Sequence, residues 1–449
     1  MVAPARQLAT RVLHRVVHDD AWAAPTLDAE IRRASLSRTD AALATQIVYG
    51  ALRVIPALDA ALARQARRPV KVDDWSRAAL LGGAFQLLHL ERVPPHAVVN
   101  DTVDLIRAKR GKRLAGFANA ILRKLAAERP ASPKPPTSLA VPAWLNEALV
   151  TSIGPEHAEQ LLSFSDEPPS IDLRVRADVD RDDVAAEILA ARPGAGVSLT
   201  ACSPRGLRVS GAGDLRELSG YAEGRFAVQE EGAQSIGCLL GALPGERLLD
   251  VCAGRGGKTA QLVEAAGADG QVVATDLHEH RLEQIPSELA RLRLSSDTLE
   301  TACVDWTVGA GAAHGEFDRV LVDAPCTGLG TLRRRPEILL RTKAGDAARM
   351  GETQRLILGN AARRVRRGGR LLYAVCSPLS DEGSRVIKQV QLPGFELQVE
   401  RASHLKSLYF GSDGRLDLGP WVPGAGPWAD AYQIFVWVNV GQFVDSARS

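Results

Sequence analysis

Two thiols carry the first chemical signal in this chain. Cys326 and Cys376 each close an apolar run, Leu321-Val-Asp-Ala-Pro-Cys326 and Leu372-Tyr-Ala-Val-Cys-Ser377, of the composition that forms a buried strand. A free thiol has a pKa of about 8.5, is slightly ionised at neutral pH, and is a strong nucleophile once ionised. The bland alternative for any cysteine is a small buried hydrophobe. The six cysteines, at 202, 238, 252, 303, 326 and 376, include no C-x-x-C pair and are too sparse for a disulfide scaffold, so free thiols and no metal site are expected.

The second signal is Asp250-Val-Cys-Ala-Gly-Arg-Gly-Gly-Lys-Thr259, a glycine-rich stretch between a strand and a helix. A phosphate-cradling P-loop needs glycine five residues before Gly257, where Cys252 stands. A dinucleotide fingerprint starting at Gly254 wants a third small residue at the position of Thr259. With both phosphate ligands disfavoured, S-adenosylmethionine is the expected cofactor. Glycines allow close backbone approach, and a helix N-terminus favours the methionine carboxylate. Asp276 ends the next strand, where a carboxylate can accept from a ribose diol, and Asp305 ends the one after, near an adenine amino group. Either Asp alone could equally be a turn or helix cap.

A methyl donor next to two thiols suits pyrimidine chemistry. C5 of cytosine is a poor nucleophile until a thiolate adds at C6. After methyl transfer the C5 proton must leave before the thiolate can. One thiol is required, and two imply a division of labour.

These groups need a sheet to hold them. From Glu246 onward strand and helix alternate: strands at Arg247–Val251, Gln271–Asp276, Leu299–Val304, Arg319–Val322 and Arg370–Val375, with helices between, among them Glu279–Leu292, which must tolerate Pro286. That is a doubly wound sheet binding ligands at its carboxyl ends. Phe395–Val399 and Tyr432–Val438 read as a terminal antiparallel pair. Upstream, residues 6 to 129 read as successive helices, with Ser37 and Asp73 as N-caps and Pro94-Pro95 as a break. The expected domains are a helical bundle at 1–129, a proline-rich linker at 130–138, a small α+β domain at 139–241 and an α/β domain at 242–449.

Composition supports a multi-domain globular chain. Its 449 residues are 45% hydrophobic and 24% charged. The net charge of +2 hides an asymmetry, because residues 1–129 hold 21 Lys and Arg against 12 Asp and Glu, about +9, leaving about −7 elsewhere. The helical third is therefore the candidate polyanion-binding unit, against the plainer role of a solvated helical surface. No apolar run reaches the roughly 18 residues of a membrane helix, and Met1–Asp20 lacks a signal-peptide core. A cytoplasmic protein without membrane contact is expected.

On these motifs the chain resembles the RsmB/NOP (Fmu/Sun) family of RNA cytosine-C5 methyltransferases. The resemblance is carried by Asp250–Thr259, by Asp323-Ala-Pro-Cys-Thr-Gly-Leu-Gly-Thr-Leu-Arg-Arg-Arg-Pro-Glu337, and by Tyr373-Ala-Val-Cys-Ser377 followed by Asp381-Glu382. Val93-Pro-Pro-His-Ala97 and Phe117-Ala-Asn-Ala-Ile-Leu-Arg123 resemble the NusB-like RNA-binding domain found in bacterial members. The resemblance implies a NusB-like bundle, a small α+β domain and a Rossmann-like class I methyltransferase domain, acting as a monomer on RNA, most often 16S ribosomal RNA. It implies Cys376 as nucleophile and Cys326 as the product-release group, with Asp323 and Lys258 near the target base. Cofactor contacts are implied for Cys252, Ala253, Gly254, Arg255, Gly256, Gly257, Lys258, Asp276, Asp305 and Asp323. Arg255 stands where the family usually has proline, Val375 where it has threonine, and Ala431-Tyr432-Gln433 where it has glycine and aromatics. A non-catalytic RNA-binding or antitermination-type factor with a decayed methyltransferase domain is the alternative. A DNA cytosine methyltransferase would instead use the Pro-Cys thiol as its nucleophile.

Overall fold

The computed structural model describes residues 2–66, 72–134, 136–163, 170–398, 413–425 and 429–441. Pro135 of the expected linker and Val399 of the expected strand lie outside them. The chain forms two compact units.

The first unit is built from α1 (Pro4–His18), α2 (Ala23–Ala34), α3 (Arg38–Arg53), α4 (Ile55–Gln65), α5 (Asp74–His89) and α6 (Pro95–Ala127). Apolar residues at helical spacing converge on one core: Leu8, Val12 and Val16 from α1, Ile47 and Leu52 from α3, Leu81 and Phe85 from α5. Ser37 and Asp73 cap as expected, accepting from the amides of Asp40 (3.1 Å) and Ser76 (3.2 Å). The long α6 breaks at Gly111, whose φ of 79° and ψ of −178° are not helical.

The chain-continuous domain boundaries expected at 129 and 242 are redrawn by packing. The helical unit extends to Ala143 and takes in a distant segment, Leu332–Thr342. There Glu337 accepts from the Ala23 amide at the start of α2 (3.0 Å), and the Arg341 guanidinium lies 4.4 Å from the Trp22 ring centroid and donates to the Ala21 carbonyl. Arg53 donates to the Arg333 carbonyl at 3.1 Å. These polar contacts tie the segment to the bundle, although sequence order assigns it to the α/β range.

The second unit begins with α7 (Ala143–Ile153) and α8 (Pro155–Leu162), then β1 (Ile171–Val175), α9 (Arg181–Ala191), β2 (Gly196–Leu199), β3 (Gly206–Ser210), α10 (Ser219–Ala222), β4 (Phe226–Val228) and α11 (Glu231–Leu240). Its first four strands form an antiparallel sheet of order β2-β3-β1-β4 around Leu173, Val175, Ile188, Leu207 and Phe226.

The larger sheet of the same unit uses β5 (Arg247–Asp250), α12 (Gly257–Ala266), β6 (Gln271–Asp276), α13 (Glu279–Leu282), α14 (Ile285–Arg291), β7 (Leu299–Cys303), β8 (Phe317–Asp323), α15 (Asp346–Ala362), β9 (Val365–Val375), α16 (Ser384–Gln389), β10 (Phe395–Leu397), β11 (Leu416–Leu418) and β12 (Tyr432–Asn439). The single helix expected over 279–292 is two, with Pro286 in the first turn of α14, where its missing N–H costs nothing. Strand order is β10-β12-β9-β8-β5-β6-β7, with β11 on β12; β5 through β9 run parallel and β12 antiparallel to β9 and β10. Both faces are covered, which is why these strands read as near-continuous apolar runs. Leu248, Ala274, Leu321 and Leu372 face one side; Leu249, Val273, Val322 and Tyr373 face the other. The chain moves outward from β5 to β7, then returns to β8 on the opposite flank. The switch point, where such sheets bind ligands, therefore lies between β5 and β8.

Candidate active site

The loop after β5 is shaped by two glycines in left-handed backbone, Gly254 (φ 56°) and Gly256 (φ 86°), the second capping α12. A Cβ on Gly256 would also meet the Ile285 side chain at 2.8 Å, so only glycine fits this turn. Asp250 anchors the loop by accepting from the Thr259 hydroxyl at 2.8 Å, while its other oxygen, Oδ1, is buried without a partner. Burial pushes the Asp250 carboxyl up to about 7, although the Thr259 hydrogen bond and the Lys258 charge pull the other way. Asp250 is a site residue that motif reading passed over, and its position at the end of the first strand was the available signal.

Asp276, 5% exposed, accepts from the amides of Gly254 (3.0 Å) and His278 (2.9 Å), with Arg281 at 3.5 Å. It thus holds the glycine loop. Asp305 is exposed, and one of its oxygens already accepts from the amide and hydroxyl of Thr307; these bonds hold its carboxyl below the usual range. The cap expected as its plain alternative is present there. Arg255 points outward into solvent, whereas Val375 is fully buried.

At the switch point Lys258 Nζ lies 2.5 Å from Asp323 Oδ2. Burial opposes the ammonium, but attraction to Asp323, Asp250 and Cys376 outweighs it and raises the Lys258 pKa. Burial and the charges of Asp250, Asp323 and Asp276 push the Cys252 thiol well up, so it is a neutral wall of the loop.

The two expected thiols meet. Cys326 and Cys376 Sγ atoms are 3.3 Å apart. A hydrogen bond to Cys376, then burial, then the charges of Cys376 and Glu382 drive the Cys326 thiol well above its ordinary range. The spacing is set by backbone contacts: Ala324 N donates to Ala374 O, and Gly330 N to Cys376 O, both at 2.9 Å. Gly330 cannot carry a side chain, since a Cβ would meet Ala431 O at 2.0 Å and Cys376 O at 2.9 Å. Gln433, one of the departures at the C-terminal strand, donates to Ser377 O and Leu379 O and braces the turn after Cys376. Glu382 was visible only as part of a motif; its buried carboxylate accepts from the Thr327 amide and hydroxyl, directly beside Cys326.

A parallel sheet with a glycine loop and acidic strand ends at its switch point, next to a close thiol pair, defines a class I methyltransferase, here joined to a helical unit. Residues 238–416 match the model of the 16S rRNA methyltransferase RsmB/F family, and residues 3–127 that of the NusB family. The chain is 34% identical over 390 residues to the ribosomal RNA small subunit methyltransferase B of Pseudomonas putida, covering 85% of this chain and 88% of the relative. Identity to the protein of the same name from Vibrio cholerae is 33%, over 85% of this chain and 88% of that one. The chain belongs to this RsmB methyltransferase family.

Among solved structures, PH0851 superposes over 98% of this chain and 99% of its own with a TM-score of 0.81 at 21% identity. NSun6 from Pyrococcus horikoshii with SFG covers 68% of this chain and 99% of its own, with a TM-score of 0.58 at 18% identity. Both share the fold. The cofactor is S-adenosylmethionine, and the residues present fit it. A glycine cradle that a Cβ would obstruct, an acid bonded into that cradle and an orphaned buried carboxylate oxygen suit a ligand carrying a ribose diol and an ammonium group.

Proposed function

We propose that this chain methylates C5 of a cytosine in small-subunit ribosomal RNA, with Cys376 as nucleophile and Cys326 as the release group. When bound, S-adenosylmethionine supplies an electrophilic methyl group. The rest is done by side chains. Cys376 as thiolate adds to C6, pushing charge into the pyrimidine ring, and the buried Lys258 ammonium, tied to Asp323, stabilises that charge. C5 then takes the methyl group. In the adduct Cys376 is a neutral thioether, so its part in pushing the Cys326 thiol up is removed. Cys326 can then release its proton to solvent and, as thiolate, take the C5 proton, while the C5–H electron pair re-forms the ring double bond and Cys376 leaves C6 as thiolate.

The 3.3 Å approach of the two thiols, one at the end of each of two adjacent strands, carries this proposal. Asp276 and the loop from Cys252 to Lys258 hold the cofactor in this scheme. Asp305 contributes at the adenine edge through whatever acceptor capacity Thr307 leaves it. The basic helical unit would capture the RNA, which accords with a cytoplasmic enzyme. The deciding experiment is one denaturing gel with labelled RNA. Cys376→Ala should give neither methylation nor adduct, and Cys326→Ala should trap a methylated protein–RNA band. A trapped band in Cys376→Ala instead would reverse the two roles, as a DNA-type enzyme requires. A decayed, non-catalytic factor would show no methylation in the unmodified protein.

A further inference from the structure

We infer that Glu382, together with Gln354, is a positioning residue that aims the Cys326 thiol for the release half of the reaction; this rests on the covalent reading above. Cys326 lies beyond the end of β8, and Ala324 makes the last ladder bond before it, to Ala374 on β9. The residues on either side of the thiol are held by one pair of side chains instead. Behind it, the Thr327 amide donates to Glu382 Oε1 at 2.7 Å and the Thr327 hydroxyl donates to Oε2. Ahead of it, Gln354 Nε2 donates to the Pro325 carbonyl at 2.9 Å and reaches Glu382 Oε1 at 3.2 Å. The Tyr373 hydroxyl locks the pair from β9, within 2.6 Å of the Glu382 carbonyl and 3.1 Å of Gln354 Oε1.

Glu382, Gln354 and Tyr373 are all fully buried. Among the described residues no ion pair is formed by Glu382. A carboxylate buried against neutral donors stabilises a fold less than a well-packed apolar group would, because its desolvation is only partly offset. Its return is geometric. Glu382 lies six residues after Cys376 in the chain, so one short loop carries the nucleophile at one end and the clamp for the second thiol at the other. The 3.3 Å Sγ separation is thereby set from both sides. Once Cys376 is bonded to C6, a thiol at that distance adjoins C5, and a misplacement of about 1 Å can cost as much as a hundredfold in transfer rate.

The test compares Glu382→Gln, Thr327→Val and Thr327→Ser with the unmodified protein and Cys326→Ala, using a transcript of small-subunit ribosomal RNA. Glu382→Gln is isosteric but turns one acceptor into a donor facing the Thr327 hydroxyl; Thr327→Val removes that hydroxyl at constant volume, and Thr327→Ser keeps it. Glu382→Gln and Thr327→Val should keep S-adenosylmethionine affinity and single-turnover methyl transfer within about threefold, yet lose about tenfold or more in steady-state turnover and retain the covalent band. Thr327→Ser should behave as the unmodified protein. Equal losses in single and multiple turnover, or no retained band where Cys326→Ala shows one, would overturn the clamp while leaving the covalent reading intact. No band with Cys326→Ala would overturn the covalent reading and the clamp with it. If Glu382→Gln fails to bind the cofactor, the contrast of Thr327→Val with Thr327→Ser decides.

Discussion

Replacing Asp276 by alanine should damage the cofactor site twice over. Its carboxylate accepts from two backbone amides, Gly254 at 3.0 Å and His278 at 2.9 Å, and is only 5% exposed. A hydrogen bond to a charged group contributes about 1.5–3 kcal/mol. Two such bonds to one carboxylate do not add fully, so the free protein should lose about 2–4 kcal/mol, seen as a lower Tm. Binding suffers separately, since the bonds this acceptor makes to the ribose disappear, a loss of roughly 1.5–3 kcal/mol or tenfold to a hundredfold in Kd. Asp276→Asn keeps one acceptor and should fall between. Calorimetry with S-adenosylmethionine and a thermal melt of each variant separate the two effects. An alanine variant that melts lower but binds with unchanged affinity would remove Asp276 from the cofactor site and leave it only a loop brace.

Asp250 predicts a pH dependence. Its carboxyl, pushed up to about 7, binds a proton more tightly in the fold than in the unfolded chain, so its contribution to stability is fully present below about pH 4 and is lost as pH rises through about 7. The cofactor-free protein should lose of order 4 kcal/mol over that window, less in Asp250→Asn, while cofactor affinity should rise with pH through about 7 as the carboxylate becomes free to meet an ammonium. A denaturation series at several pH values with a flat slope would contradict this. Lys109, Lys112 and Arg113 are exposed beside the break in α6; replacing all three by alanine should reduce the slope of log affinity for single-stranded RNA against log salt by about 2, with cofactor binding unchanged. An unaltered slope in a filter-binding titration would return this charge to a solvated surface. Gly330→Ala forces a Cβ against two carbonyl oxygens and should cost about 1–3 kcal/mol in stability along with most of the methylation, measured by melt and methyl incorporation.

Much of the site was legible because a parallel sheet converts chain order into position. A strand end in such a sheet is a place in the binding crevice, so Asp276 and the two cysteines could be placed there from apolar runs, whereas Asp323 came from the resemblance and Asp250 was passed over. Glycines at 254 and 256 announced a turn that L side chains cannot make. What was not legible depended on partners distant in the chain. That Asp305 caps its own turn rests on its bonds to Thr307, which side-chain type alone does not reveal. Glu382 and Gln354 gave no periodic or motif signal of a clamp, since Glu382 meets Thr327 across 55 positions and Gln354 meets Pro325 across 29. The insertion of β12 between β9 and β10 likewise rests on pairing across the sheet rather than on local propensity.

By itself the sequence determined the helical and α/β classes and offered a glycine loop and two thiols as candidates, because hydrophobic period, glycine and side-chain chemistry are local properties. Only the tertiary structure decided that the two thiols touch, that the hydrogen bond to Cys376 and burial push the Cys326 thiol up, and that the segment Leu332–Thr342 packs with the helical unit. Each of these depends on burial and on charges brought together by the fold. A pKa or a contact is set by its surroundings, and those surroundings are assembled from every part of the chain.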